Sequence, residues 1–215
     1  MMNVCPSKRR ERTPGYSPGF VASIDSRRIR RVSLFITVFW LFCNVFPKPV
    51  TASEETVEYA IKLAFLYNFG KFIEWPSDAY PSADAPMAIC IVGRDPFSPS
   101  VEGELGTRTL AGHPVKVLAL KTTDKLSVCR MVFIPVTEKA QADKIVRSLM
   151  GSSTLTVGET EGFTVLGGII NLTVDGNKVR FEVNQFAARR AGLKISSKLL
   201  SLAKTVTDTQ IEPSR

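Results

Sequence analysis

One histidine in 215 residues, His113, leaves little room for imidazole chemistry. It stands before Pro114 at the start of an expected strand, where a lone histidine packs or faces water. One histidine and few cysteines give a zinc or Cys/His centre too few ligands. No G-x-S-x-G elbow occurs, which excludes that type of acyl-transfer serine. No G-x-G-x-x-G and no Walker lysine occurs, so a nucleotide site lacks its phosphate cradle. Beyond the first helix, the carboxylates nearest one another in sequence, Glu102 with Glu104 and Glu159 with Glu161, fall in expected loops and read as facing water. On this inventory no enzyme, metal or cofactor is expected. There is no internal repeat and no low-complexity tract.

Long apolar runs are also missing. Residues 32–46, "VSLFITVFWLFCNVF", form an uncharged, mostly apolar run of fifteen, short of the about 20 that a membrane span needs. The segment before it is polar and basic, ending in "SRRIRR". "PKPVTA" follows, with Val50 and Ala52 at signal-peptidase spacing. A basic region, a short apolar region and a small-residue exit describe a secretory signal peptide over 1–52, cleaved after Ala52. The alternative is an uncleaved anchor. Arg27–Arg28 hints at twin-arginine export, but the strongly apolar run fits the general pathway better. Phe42 before Cys43 is too bulky for a lipoprotein site.

Removing 1–52 changes the charge. The chain has 28 Lys+Arg and 20 Asp+Glu, of which nine and two lie in 1–52, leaving 19 and 18 and a net of +1. The basic balance therefore belongs to the export signal, and no nucleic-acid partner is implied. Cys5 and Cys43 leave as well, and Cys90 and Cys129 remain. In an oxidising compartment two thiols allow one internal bridge. Two buried free cysteines or a bridge between chains are the alternatives.

The mature stretch reads as one α/β domain over 53–206 with a flexible tail over 207–215. Residues 54–74 predict a helix that opens with Glu54, Glu55 and Glu58 and stops before Trp75–Pro76. It is apolar nearly all round, which implies burial on more than one face. Phe72 and Trp75 are candidates for lining a small-ligand pocket, against ordinary core packing. Strands are expected at 86–93, 113–120, 129–135 and 154–157, with a short helix after the loop beginning at Arg94 and an amphipathic helix over 138–150. Alternation of this kind argues a mixed, partly parallel sheet flanked by helices.

The last third predicts an antiparallel hairpin, "IINLTV-DG-NKVRFEV". With Asp175–Gly176 as the loop, Ile169 faces Glu182 and Asn171 faces Arg180; a loop at Gly176–Asn177 pairs Leu172 with Phe181. Either way one face carries Ile169, Asn171, Thr173, Lys178, Arg180 and Glu182 to solvent. Gly167–Gly168 marks a bulge or a close backbone approach. Asn184 is placed to cap a helix through Ala191, and Ser196 or Ser197 to cap the last one.

Three features together resemble the YfiR family of periplasmic proteins: "IKLAFLYNFGKFIEWP" (61–76), the Cys90 and Cys129 pair at strand ends, and "GGIINLTVDGNKVRFEVNQFAARRAGLKISSKLLSLA" (167–203). The resemblance covers almost the whole mature chain. It implies a Cys90–Cys129 disulfide and an exported homodimer. It also implies repression of an inner-membrane diguanylate cyclase through that enzyme's periplasmic sensor domain, with an outer-membrane-linked lipoprotein able to sequester the repressor. Output would be cyclic-di-GMP and biofilm. Some members carry a second disulfide; no cysteine follows Cys129 here. The F-E-x-N strand face is the implied docking surface, with Ile169, Arg180, Glu182, Asn184, Arg190 and Lys194 as candidate contacts. The competing reading is a periplasmic small-ligand-binding protein.

Overall fold

The computed structural model describes residues 54–97, 100–121 and 125–208. The expected signal peptide, and the tail beyond Asp208, lie outside the described residues. Helix α1 (Glu54–Phe72) has Glu54 and Glu55 in its first turn and Lys71 in its last, the charge order that suits a helix dipole. It ends two residues earlier than expected, because Ile73–Glu74 become strand β1. They pair antiparallel with β9 (Lys194–Ile195), Ile73 opposite Ile195 and Glu74 opposite Lys194. Ser196 N donates to Phe72 O at 3.0 Å, which satisfies a carbonyl the helix end leaves free.

The main sheet has eight strands. They are β2 (Met87–Val92), β3 (Thr109–Leu110), β4 (His113–Leu120), β5 (Met131–Ile134), β6 (Leu155–Gly158), β7 (Ile170–Asp175), β8 (Lys178–Asn184) and β10 (Thr205–Thr207). Their order is β10-β8-β7-β6-β5-β2-β4-β3. The five strands from β7 to β4 run parallel to their neighbours. An antiparallel pair closes each flank, and β10 returns parallel to β8. Among the described residues four further α-helices follow: α2 (Ser100–Leu105), α3 (Lys139–Ser148), α4 (Gln185–Arg190) and α5 (Ser197–Leu200). The expected mixed α/β sheet with its terminal hairpin is therefore present, and the unanticipated strands, β1, β3, β9 and β10, have two or three residues each.

The central strands feed two cores by strict alternation, as a period of two requires. Ile89, Ile91, Met131, Phe133, Leu155, Val157, Leu172 and Phe181 pack with Leu63, Leu66 and Phe69 of α1. Cys90, Val92, Val132 and Ile134 pack instead with Ala142, Ile145, Val146 and Leu149, the apolar stripe of α3. Each fully buried aliphatic or aromatic side chain stabilises by roughly 1.5–3 kcal/mol. The Cys90–Cys129 disulfide lies within the second core, with a Cα separation of 5.8 Å and both residues fully buried. It ties β2 to the segment entering β5.

The hairpin takes the second of its two expected registers. Leu172 pairs with Phe181, Asn171 with Glu182 and Thr173 with Arg180, leaving Gly176–Asn177 as the loop. Gly176 has φ +58°, the glycine-first arrangement of a tight primed turn. The expected placement of Ile169 opposite Glu182 is corrected: Ile169 precedes β7 and is buried in the first core. Its N–H goes to Thr156 Oγ1 at 3.0 Å rather than into the hairpin ladder. Strand β10 also carries paired structure one residue into the stretch read as a tail, with Thr207 beside Asn184. Arg189 Nη1 and Asp208 Oδ1 are 2.5 Å apart just beyond it.

Candidate functional site

On one face of the hairpin the cross-strand pairs are Asn171 with Glu182, Thr173 with Arg180 and Asp175 with Lys178. Asp175, Lys178 and Arg180 are exposed, and Glu182 is half-buried. Asn171 Nδ2 donates a long hydrogen bond, 3.4 Å, to Glu182 Oε2.

Beside this face the sheet has a notch. Gly158 opposite Asn171 is the last β6–β7 pair, and β7 runs on to Asp175 paired with β8 alone. The start of α1 and the loop after β6 flank the notch, which forms an open cavity of about 440 Å³. Glu58, Tyr59 and Lys62 of α1 line it, together with Glu159, Glu161, Asn171, Thr173 and Glu182. The cavity sits at the carboxyl ends of β5 and β6, where open α/β sheets place their ligands.

Glu159 contradicts its sequence reading. Its side chain is only 2% exposed and pairs with Lys62, itself 5% exposed. Glu159 Oε1 accepts from Tyr59 O–H at 3.0 Å and from Val136 N–H at 2.8 Å, and Oε2 accepts from Lys62 Nζ. Lys62 Nζ also lies 2.5 Å from Glu58 Oε1 and 4.6 Å from the Tyr59 ring centroid. Burial, reinforced by the Glu159 charge, pushes the Tyr59 hydroxyl above its ordinary range. It therefore remains a donor. Glu161 is exposed, as expected. A carboxylate buried this deeply is retained only because three donors compensate its lost water. Two other polar atoms lack such compensation: Asn171 Oδ1 and Thr173 Oγ1 are buried and have no hydrogen-bond partner.

The other candidates are scattered. Ile169, Asn184 and Arg190 line a second cavity of about 240 Å³, together with Arg147. Asn184 is buried, and both ends of its amide are engaged. Oδ1 accepts from Ala187 N–H at 2.8 Å, capping α4 as expected, and Nδ2 donates to Thr164 O at 2.9 Å. Arg190 is exposed, its guanidinium 5.9 Å from the Phe186 ring centroid. Lys194 is exposed on β9. Phe72 and Trp75 lie on either side of a turn, where the chain passes from α1 into β1. Trp75 lines a third cavity with Tyr80 and His113, and Phe72 lies apart with Lys198 Nζ 5.5 Å from its ring centroid. His113 is a packing residue: it stacks on Tyr80 at 3.7 Å, and its Nδ1 lies 2.7 Å from Ala85 O.

Reasoning from the sequence missed Tyr59, Lys62, Glu159 and Asn171 as a group. The one available signal was Lys62, a cation inside an otherwise apolar stretch of α1.

Among the described residues no helix is long and apolar enough to cross a membrane. Two solved structures are similar over part of the chain. One is an ABC domain in complex with L-Trp from Streptococcus pneumonia, 16% identical with a TM-score of 0.43. The other is a conserved domain protein from Vibrio cholerae, 11% identical with a TM-score of 0.42. Each match covers 56% of this chain and 55% of the other, so the chain spans about half the length of these structures. Residues 59–204, nearly all of the described fold, match the family model described as YfiR/HmsC-like, whose proteins are periplasmic regulators of diguanylate cyclase signalling, and the chain belongs to that family.

Proposed function

We propose that the protein is exported to the periplasm, where it binds the periplasmic sensor domain of an inner-membrane diguanylate cyclase and holds that enzyme inactive. Cyclic-di-GMP and biofilm formation fall as a result. The observation that carries this reading is the family match over residues 59–204. Sequestration by an outer-membrane-linked lipoprotein, and a homodimer as the working form, belong to the same reading.

The hairpin face is the docking surface in this proposal. Its exposed charges and half-buried Glu182 support it, because charges at an interface supply specificity. Arg180 and Glu182 make direct contact, with Arg190 and Lys194 as further exposed cations. Ile169 and Asn184 are buried and act by holding the support beneath. The decisive experiment is capture of a sensor domain from membranes by the processed protein, repeated with Glu182→Lys. The variant leaves the Nδ2 of buried Asn171 without its long hydrogen bond and should lose about 1–3 kcal/mol of stability while remaining folded. It should bind the sensor or the lipoprotein about 2–5 kcal/mol more weakly. Wild-type affinity for both, in a variant shown to be folded by its melting curve, removes Glu182 from the interface.

A second reading, a small-ligand-binding protein, is favoured by the polar cavity at the end of β6.

A further inference from the structure

That cavity holds more acceptors than donors. Four carboxylates line it, those of Glu58, Glu159, Glu161 and Glu182, against the single ammonium of Lys62. Lys62 is already committed to Glu58 and Glu159. The remaining wall is acceptor-rich and unsatisfied. Asn171 is only 1% exposed and lines the cavity, and its Oδ1 has no partner. Its Nδ2 is turned to Glu182, which settles which end of the amide is left over. Thr173 Oγ1, two residues along the same strand, is also buried and unpartnered.

Buried acceptors without donors destabilise a protein until a donor arrives. A primary ammonium has three donors and no acceptor, so it matches this wall in both charge and hydrogen bonding. An anion is opposed by the carboxylates. A bare metal ion is opposed by their spacing: among the described residues no three acidic, histidine or cysteine side chains stand close enough together to hold one. Arg180 pairs across the hairpin with Thr173, but it is exposed and does not line the cavity. The volume, about 440 Å³, lies within the range of small-molecule sites. Lys62 shows the same chemistry satisfied internally, one ammonium held between two carboxylates.

We propose that this cavity binds a small organic cation through a primary ammonium group, which donates to Asn171 Oδ1 and Thr173 Oγ1 while Glu182 supplies the opposing charge. The proposal goes beyond the docking reading and does not rest on it.

The test is calorimetric titration of the purified protein with putrescine at fixed ionic strength, with butanediol, succinate and magnesium chloride in parallel. Saturable binding of putrescine alone is expected. Affinity should fall roughly tenfold or more in Glu182→Gln and in Thr173→Val. Both substitutions keep side-chain size, so the fold is preserved for the comparison. Three results overturn the proposal: no saturable heat up to about 10 mM putrescine, an equal response to magnesium, which is charge screening alone, or unchanged affinity in both variants. A protein that captures its sensor domain yet ignores putrescine leaves the docking reading standing and ends this one.

Discussion

Glu159 spends its acceptors inside the protein, on Tyr59, Lys62 and Val136 N–H. Removing Glu159 leaves Lys62 with Glu58 alone and deprives the Tyr59 O–H and the Val136 N–H of their acceptor, at a cost of about 1–3 kcal/mol. Glu159→Ala should therefore destabilise the protein by about that amount in urea unfolding. The paired change Lys62→Met with Glu159→Gln should recover much of the loss, because neutral groups of similar size replace both charges. A loss below about 1 kcal/mol in Glu159→Ala removes the pair from the list of structural determinants. The sequence could not announce this pair. Its members are 97 residues apart, and Glu159 beside Glu161 carries the mark of a solvated loop. Only the helix it meets distinguishes the two. The cysteines were easier, since the resemblance supplied a pairing that composition alone left open.

At the scale of elements, the connection between β6 and β7 is held by Phe163. Its ring is fully buried against two glycines. A Cβ at Gly168 would lie 2.1 Å from Phe163 Cε1, and one at Gly158 would lie 2.5 Å from Phe163 Cδ2. The close approach expected at Gly167–Gly168 is thus made to an aromatic face. Gly168→Ala should cost at least about 1–3 kcal/mol through overpacking. Adding Phe163→Leu should lessen the penalty of the alanine, which a double-mutant cycle of melting curves measures. Additive losses would show that the ring and the glycine do not constrain each other. The hairpin shows where legibility stops. Both loop placements give the same inward residues, because a shift of two positions preserves the alternation. The hydrophobic pattern therefore identified Phe181 and Val183 as core residues but could not choose the register. Strand β4 was readable to the residue, being a mostly aliphatic run that follows Gly112. The two- and three-residue strands were not, since their pairing comes from distant chain rather than local pattern.

For the whole molecule, the disulfide sits where solvent does not reach. Cys90 and Cys129 are both fully buried beneath α3, so a reductant must wait for the second core to open. Reduction should be slow in native buffer and should accelerate with denaturant in step with unfolding, as thiol titration over time would show. Fast reduction without denaturant contradicts that placement. Once broken, the bridge should take about 2–4 kcal/mol of stability with it, read as a lowered melting temperature. The sheet itself ends in two stubs, β3 of two residues and β10 of three. Strand β10 lies along Glu182–Asn184, and Lys204 N–H donates to Phe181 O. Of β8, only Lys178–Arg180 extend past it, and two of those three are cations, which discourage another chain from adding on. On the β10 side the sheet therefore offers no long ribbon for an incoming strand to extend. Any protein that recognises this one through β8 must read side chains on the face of the sheet, and its choice of partner is written in residue identity rather than in backbone shape.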